Sequence, residues 1–514
     1  MHAQPHTGSQ LKAGALLTYL TGFLQIVVNL LFTAALARIL GREEYGLYLL
    51  LASMVAYVSV FDFGLNNTIS RYIAQYRAQN DRHRESNLLF YTFALYGVLA
   101  AIILTIGLVV SPHVPGMINE LSPEHVRLAQ SLFQVLIFNM ALSLPMGAFA
   151  AILVGYEKFV VTRVLSILRI LLMPVIAFPL LLAGCGTLAV VLVTTGTNVL
   201  FGACNAWYAM AKLGVRIRFF EWDTALLREM LRYSWFVFLG VIADQVLWNA
   251  STVVIGILKN PGQVSVFGSA SQLCNYFASF GAALTGVFLP RATQLVVSGA
   301  ERPGLTAFLV RVGRMQSMLV FMVLGGFAAC GQAFVRIWLG EGFAQVYPLA
   351  LVMMIPIAFN LARAIALSII QAQNRHGYRS NMYLFVAVVY SVGCFFLTRQ
   401  FDIMITACAF ALAVAASNLW IDWYYHTRGQ MDMWAFYKQI AGILIAMAAG
   451  IVPGLLIRLL PLGNIVTVLL QGGAFLLCYI GILWCWVMND GEKKLVTSLI
   501  RWRGRVHEGG APDA

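Results

Sequence analysis

Apolar runs of about 20 residues recur along the whole chain between short polar breaks, and each has the length a helix needs to cross a hydrocarbon core of about 30 Å. Fourteen spans are predicted, at 13–37, 46–66, 87–110, 131–154, 164–183, 188–211, 234–257, 264–290, 315–335, 348–371, 380–398, 403–425, 434–456 and 465–488. The first run is too long for a signal-peptide core and has no small-residue cleavage site, so it counts as a span. The expected fold class is an all-α polytopic membrane protein of about 14 transmembrane helices.

Composition agrees. Of 514 residues, 60% are hydrophobic and 11% charged, against about 25% charged in average soluble chains, which excludes a soluble enzyme. The net charge of +13 would suit nucleic acid only if clustered on a soluble domain, and no loop is long enough to be one. With the N terminus inside, 25 of the 34 Lys and Arg fall on the cytoplasmic side, seven outside (Arg38, Arg42, Arg127, Lys259, Arg336, Arg399, Arg458) and two within spans. Cytoplasmic loops are enriched in these residues, so both termini are expected to be cytoplasmic and the excess charge is an orientation signal. Eight cysteines lie singly, mostly in apolar runs, and all eight histidines lie outside the spans. Neither a disulfide framework nor a metal site is indicated. There is no phosphate-binding GxxxxGK loop, and no cofactor is expected.

Landmarks repeat at a nearly constant offset. Gln25-Ile-Val-Val-Asn29 matches Gln245-Val-Leu-Trp-Asn249, Arg71 matches Arg291, Phe138-Asn139 matches Phe359-Asn360, and Gly155-Tyr156 matches Gly377-Tyr378, at offsets of 220 to 222. This predicts two parallel six-helix repeats plus two extra C-terminal helices: an N-lobe (1–212), a C-lobe (213–429), helices 13 and 14 (430–490) and a basic cytoplasmic tail (491–514). Two such bundles with a cavity between them are transporter architecture.

Ionisable groups within hydrocarbon are costly and face a bundle interior or a wet cavity. Five are expected there: Asp62, Arg169, Asp244, Arg363 and Asp422. Asp422 is read as interfacial, near the cytoplasmic end of span 12. Asp62 either orients a helix end, pairing with Arg71, or serves function. For Arg363 and Asp244 two readings stand: a buried ion pair locking spans 7 and 10, or a cavity in which Arg363 holds an anion and Asp244 a cation. Arg169 either lines the cavity or extends to the cytoplasmic surface. Thr21, Gln25, Asn29 and Thr33 lie four apart along one face of span 1, with Gln245 and Asn249 as counterparts in span 7. They are either interhelical glue or cavity wall. Two amphipathic basic stretches, 223–232 and 492–505, are expected to rest on anionic membrane lipids.

The stretch Ala-Arg-Ile-Leu-Gly-Arg-Glu-Glu-Tyr-Gly-Leu-Tyr (37–48), running into Phe-Asp-Phe-Gly-Leu (61–65) and Arg71, resembles the N-terminal signature of polysaccharide transporters. These are the oligosaccharide-lipid flippases of the multidrug/oligosaccharidyl-lipid/polysaccharide exporter superfamily. Leu-Arg-Glu-Met-Leu-Arg-Tyr-Ser (227–234) resembles that family's entry into its second half. The resemblance implies export of a polyprenyl-diphosphate-linked oligosaccharide across the inner membrane by alternating access, with no enzymatic step. It also implies Arg169 and Arg363 on the diphosphate, Asp62 or Asp244 on a coupling cation (H+ or Na+), and polysaccharide polymerase or export components as partners. A multidrug antiporter of the same superfamily is the alternative, with a peptidoglycan-precursor flippase or a membrane glycosyltransferase or polymerase further off.

Overall fold

The computed structural model describes residues 7–494 and 497, apart from 63, 221–223, 286–287, 300, 374–376 and 459–462. Of the amphipathic stretch at 492–505 only 492–494 and 497 are described, and Asp223 and the side chains of 224–232 other than Arg228 also lie outside the described residues. The described chain is helical with no strand: α1 (Thr7–Ala56), α2 (Leu65–Ala78), α3 (Arg82–Val110), α4 (Val114–Met117), α5 (Pro123–Gly155), α6 (Phe159–Leu182), α7 (Gly186–Trp207), α8 (Thr224–Leu258), α9 (Pro261–Thr285), α10 (Leu289–Val297), α11 (Arg302–Leu339), α12 (Val346–Ala362), α13 (Ala364–Ala372), α14 (Gly377–Gln400), α15 (Ile403–Thr427), α16 (Met433–Ile457) and α17 (Asn464–Ile482).

Among the described residues, eleven helices are long and apolar enough to cross a membrane, or twelve if the bent pair α12 and α13 is one span. The count falls below fourteen for two physical reasons. Runs 1 and 2 share one continuous stretch, Leu17–Ala78, of 62 residues. At 1.5 Å per residue that is roughly 90 Å, three times the hydrocarbon thickness. It is broken at Gly41, whose φ of 76° no helix accommodates. Run 8 is α9, and Ser265, Ser269, Ser271, Gln272 and Asn275 make it too polar to qualify.

The chain divides into two compact units, residues 1–276 with 376–417, and residues 277–375 with 418–514. In the first, α5 packs on α2, α3 and α7, α1 on α6, and α8 on α14. Tyr45, Tyr96, Phe267 and Phe410 are its largest fully buried side chains. In the second, α11 packs on α12, α16 and α17 around Phe321, Phe436, Phe475 and Tyr479. Phe23 (67% exposed), Leu412 (71%) and Leu477 (78%) point outward from long helices, the pattern of a chain whose solvent is hydrocarbon.

The signature stretch 37–48 is explained by contacts within the first unit. Glu44 Oε1 accepts hydrogen bonds from the Thr187 backbone N–H (2.7 Å) and hydroxyl (2.6 Å), tying α1 to the start of α7. Tyr45 donates to Gln272 Oε1 at 3.2 Å, and Gln272 also accepts from Thr33 at 3.1 Å. Gly46 lets α1 touch the start of α9: a Cβ there would lie 1.8 Å from the Pro261 carbonyl oxygen. Because that atom is backbone, Gly46→Ala is expected to separate the two helices and cost about 3 kcal/mol, the upper end for overpacking. A thermal melt of the detergent-solubilised chain unchanged by this substitution would contradict that packing.

In the second unit Arg314, 5% exposed, gathers the C-terminal helices. Its Nε and Nη2 donate to the two Glu492 carboxylate oxygens (2.9 and 3.1 Å), Nη2 also to the Val487 carbonyl (2.8 Å), and Nη1 to the Gln439 carbonyl. Burial pushes the Glu492 carboxyl up, but the Arg314 hydrogen bonds, the Asn489 N–H and the guanidinium charge outweigh it and hold the group below its ordinary value. A carboxyl depressed by folding contributes stability above its unfolded pKa of about 4.3, lost as pH falls through the folded value. Glu492→Gln should therefore speed hydrogen exchange around 483–494 at neutral pH, by the equivalent of roughly 1.5–3 kcal/mol, and the difference from wild type should vanish in acid. A difference that persists at all pH values would contradict the linkage.

Candidate functional site

In the first unit a polar chain crosses three helices. Arg169 on α6 donates from Nη1 to Asn198 Oδ1 on α7 at 3.0 Å, and Asn198 Nδ2 donates to Asn139 Oδ1 on α5 at 3.0 Å. The order matters, because an amide that spends its NH2 on Asn139 must turn its carbonyl toward the arginine. α7 reaches α5 so closely because Gly202, one turn beyond Asn198, lies against Met146: a Cβ there would be 2.6 Å from its sulfur. Arg169 is exposed on its unit and has no ion-pair partner among the described residues. It uses one of its five donors.

The same unit holds an apolar cavity of about 690 Å3 between α3, α5 and α7. Leu104, Leu108, Phe138, Leu192 and Val199 line it, so the residue before Asn139 and the residue after Asn198 both belong to its wall. An open cation on α6, and an apolar groove walled by the α5 and α7 that hold it, suit an amphiphile with an anionic head.

The other sequence-predicted residues of this unit are placed as follows. Asp62 Oδ1 accepts from the Tyr96 hydroxyl at 2.7 Å and from Asn66 Nδ2 at 2.8 Å. It is held by neutral donors and not by Arg71. Asp244 on α8 is exposed and makes no ion pair within 4 Å among the described residues, although the charge of Arg379 on α14 reaches it. Gln25 and Asn29 are exposed on α1, while Thr21 and Thr33, at the ends of the same stripe, are buried and hydrogen-bonded. Only the middle of the stripe is open. Asn249 Nδ2 donates to Gln245 Oε1 at 2.8 Å, so this pair is closed on itself.

In the second unit Arg363 stands where α12 breaks into α13 with a 44° bend. It is 2% exposed. Its Nη1 lies 2.9 Å from Asp422 Oδ1, its Nη2 donates to Asn418 Oδ1 at 2.6 Å, and the Tyr425 ring lies 5.9 Å away. Tyr437 donates to the other Asp422 oxygen. Asp422, close to the end of α15, is 7% exposed and is the counter-ion of Arg363. Its carboxylate is drawn inward because the bend at Arg363 leaves a buried cation that needs one. The two membrane arginines thus differ: Arg169 is open and uncompensated, Arg363 buried and neutralised.

Both arginines nevertheless bond the same kind of partner. Asn198 and Asn418 are 220 positions apart, the offset expected of the repeat. Each accepts from an arginine and donates to a neighbouring helix, Asn198 to Asn139 on α5 and Asn418 to the Pro356 carbonyl on α12 at 2.8 Å. Sequence reasoning passed over both asparagines, though Thr197-Asn198-Val199 and Ser417-Asn418-Leu419 carry the signal. Tyr96, Gln272 and Tyr276, whose hydroxyl lies 3.2 Å from the Thr33 hydroxyl, left no such trace. Among the described residues no group of three or more His, Cys, Asp or Glu is placed to hold a metal.

The sequence profile of the polysaccharide biosynthesis protein family matches residues 11–296. A Shigella flexneri protein named "Putative O-antigen transporter" is 21% identical over 403 residues, covering 76% of this chain and 91% of its own length. Among solved structures, the lipid II flippase MurJ in an inward closed conformation superposes with a TM-score of 0.70 at 11% identity, covering 91% of this chain and 97% of that one. An inward-facing multidrug resistance MATE family transporter of the MOP superfamily gives 0.64 at 15% identity, covering 82% and 99%. These similarities establish a shared fold.

Proposed function

Because this chain belongs to the polysaccharide biosynthesis protein family, we propose that it is a flippase. It carries a polyprenyl-diphosphate-linked oligosaccharide from the cytoplasmic to the outer leaflet of the inner membrane by alternating access, with both termini cytoplasmic. The observation that carries this reading is the uncompensated Arg169, held by Asn198 and Asn139 from α7 and α5, two helices that also wall an apolar groove. The saccharide and diphosphate cannot enter hydrocarbon, so they need a polar path while the polyprenyl tail stays in apolar surroundings. A guanidinium matches two phosphate oxygens at once, and Arg169 has the free donors to do so. Gln25 and Asn29 offer open amides to sugar hydroxyls. Asp244, open and acidic, and Asp62 are the carboxylates available to a coupling cation. Arg363, neutralised by Asp422, joins the site only in a state that parts this pair, and Gln245 and Asn249 only in one that opens theirs.

A deletion strain tests the reading. It should accumulate lipid-linked oligosaccharide facing the cytoplasm, lose surface polysaccharide and keep its ordinary drug sensitivity. Heightened drug sensitivity with normal polysaccharide would favour the antiporter instead.

A further inference from the structure

Of the seven basic residues expected to face out, Arg336 and Arg458 line one polar cavity of the second unit. It measures about 260 Å3 and lies among the ends of α11, α12, α16 and α17. Arg336 stands in the last turn of α11, Arg458 caps α16, and Asn464 opens α17, with Gln332 and Gln471 completing the wall. A cation at a helix C terminus complements the negative end of the helix. That accounts for each arginine singly. It does not account for side-chain amides gathered around both.

The donors here exceed their partners. Arg336 Nε is 3.5 Å from the 74%-exposed Glu341 carboxylate, and this nitrogen is buried with no hydrogen-bond partner. Arg458 has no ion-pair partner among the described residues, and the side-chain amides of Gln332 and Asn464 make no hydrogen bond among them. Gln471, 2% exposed, gives Nε2 to the Gly454 carbonyl at 3.0 Å and keeps a second N–H. The first-turn N–H groups of α17 add positive potential at the same place. Two cations and several free N–H groups therefore face one exposed carboxylate.

We propose that this cavity is a phosphate site, taking either a phospholipid headgroup or a free phosphate. Two guanidinium groups suit a tetrahedral oxyanion, with the amides as neutral donors to its remaining oxygens. The volume equals that of roughly nine liquid waters, room for a phosphate with a glycerol-sized substituent but not for an oligosaccharide. The site does not depend on the flippase reading, since binding alone tests it.

The full chain would be placed in phosphatidylcholine nanodiscs with and without phosphatidylglycerol, and retained lipid counted by native mass spectrometry. In parallel, the detergent-solubilised chain would be titrated with inorganic phosphate against chloride at equal ionic strength. Wild type should bind at least one probe. Arg336→Gln combined with Arg458→Gln should weaken that binding by roughly tenfold or more per arginine, while Arg399→Gln, a basic residue expected to face out that does not line the cavity, leaves it unchanged. Retention of phosphatidylglycerol alone assigns a lipid headgroup, and binding of phosphate alone a free ion. Binding of neither probe by wild type, or equal binding by the double variant, overturns the proposal. Should the double variant fail to fold, Asn464→Leu on the exposed start of α17 replaces it, weakened binding supporting the site and unchanged binding overturning it.

Discussion

Arg169→Ala is expected to lower export of the lipid-linked oligosaccharide roughly ten- to hundredfold at normal protein levels. A charge-assisted hydrogen bond contributes about 1.5–3 kcal/mol, and each 1.4 kcal/mol is tenfold. Arg169→Lys should fall between, because an ammonium keeps the charge but not the planar fork. Asn198→Asp is a sharper test, since it removes no cation. A carboxylate 3.0 Å from Arg169 would neutralise it much as Asp422 neutralises Arg363, and export should fall nearly as far as with Arg169→Ala. Surface polysaccharide measured in a deletion strain carrying each variant reads all three. Normal output from Arg169→Ala and Asn198→Asp would remove Arg169 from the site.

The second large effect is on stability. Asp422→Ala leaves a guanidinium buried at 2% exposure without its counter-ion, and breaking such a pair from one side costs about 3–5 kcal/mol. The loss should show as a lowered melting temperature and as faster hydrogen exchange in α13 and α15. Arg363→Met combined with Asp422→Leu removes both charges and should recover most of the stability, because apolar replacement of a whole buried pair is often neutral. If the single variant is as stable as wild type, Arg363 and Asp422 are not a locked pair in the folded protein. If the double variant is stable and still exports, Arg363 has no part in holding the diphosphate.

What the sequence made legible follows from periodicity. Apolar length located the helices, and within the stretch 37–48 the Gly41 break and the contacts of Glu44, Tyr45 and Gly46 give residues of the resemblance a structural reason. Which charged residues to single out was legible too, since a charge within an apolar run is conspicuous. Their partners were not. Arg363 was weighed against Asp244, yet its counter-ion is Asp422, and that choice depends on which turns of α12, α13 and α15 face one another. Periodicity within one helix carries no register between helices. Asp62 shows the same limit: Tyr96, which donates to it at 2.7 Å, looks in sequence like any tyrosine in an apolar run. The asparagines at 198 and 418 were recoverable from the repeat offset, and their shared role became visible only with the arginine bonded to each.

The central claim, that the chain moves a lipid-linked oligosaccharide and holds its diphosphate at Arg169, is tested most directly in proteoliposomes. Wild type and Arg169→Ala would be reconstituted with a labelled polyprenyl-diphosphate oligosaccharide, and the glycan reaching the far leaflet scored by a membrane-impermeant oxidant. Wild type should expose glycan at a rate the variant fails to match by tenfold or more. Equal rates for the two proteins, or none above protein-free vesicles for wild type, would contradict it.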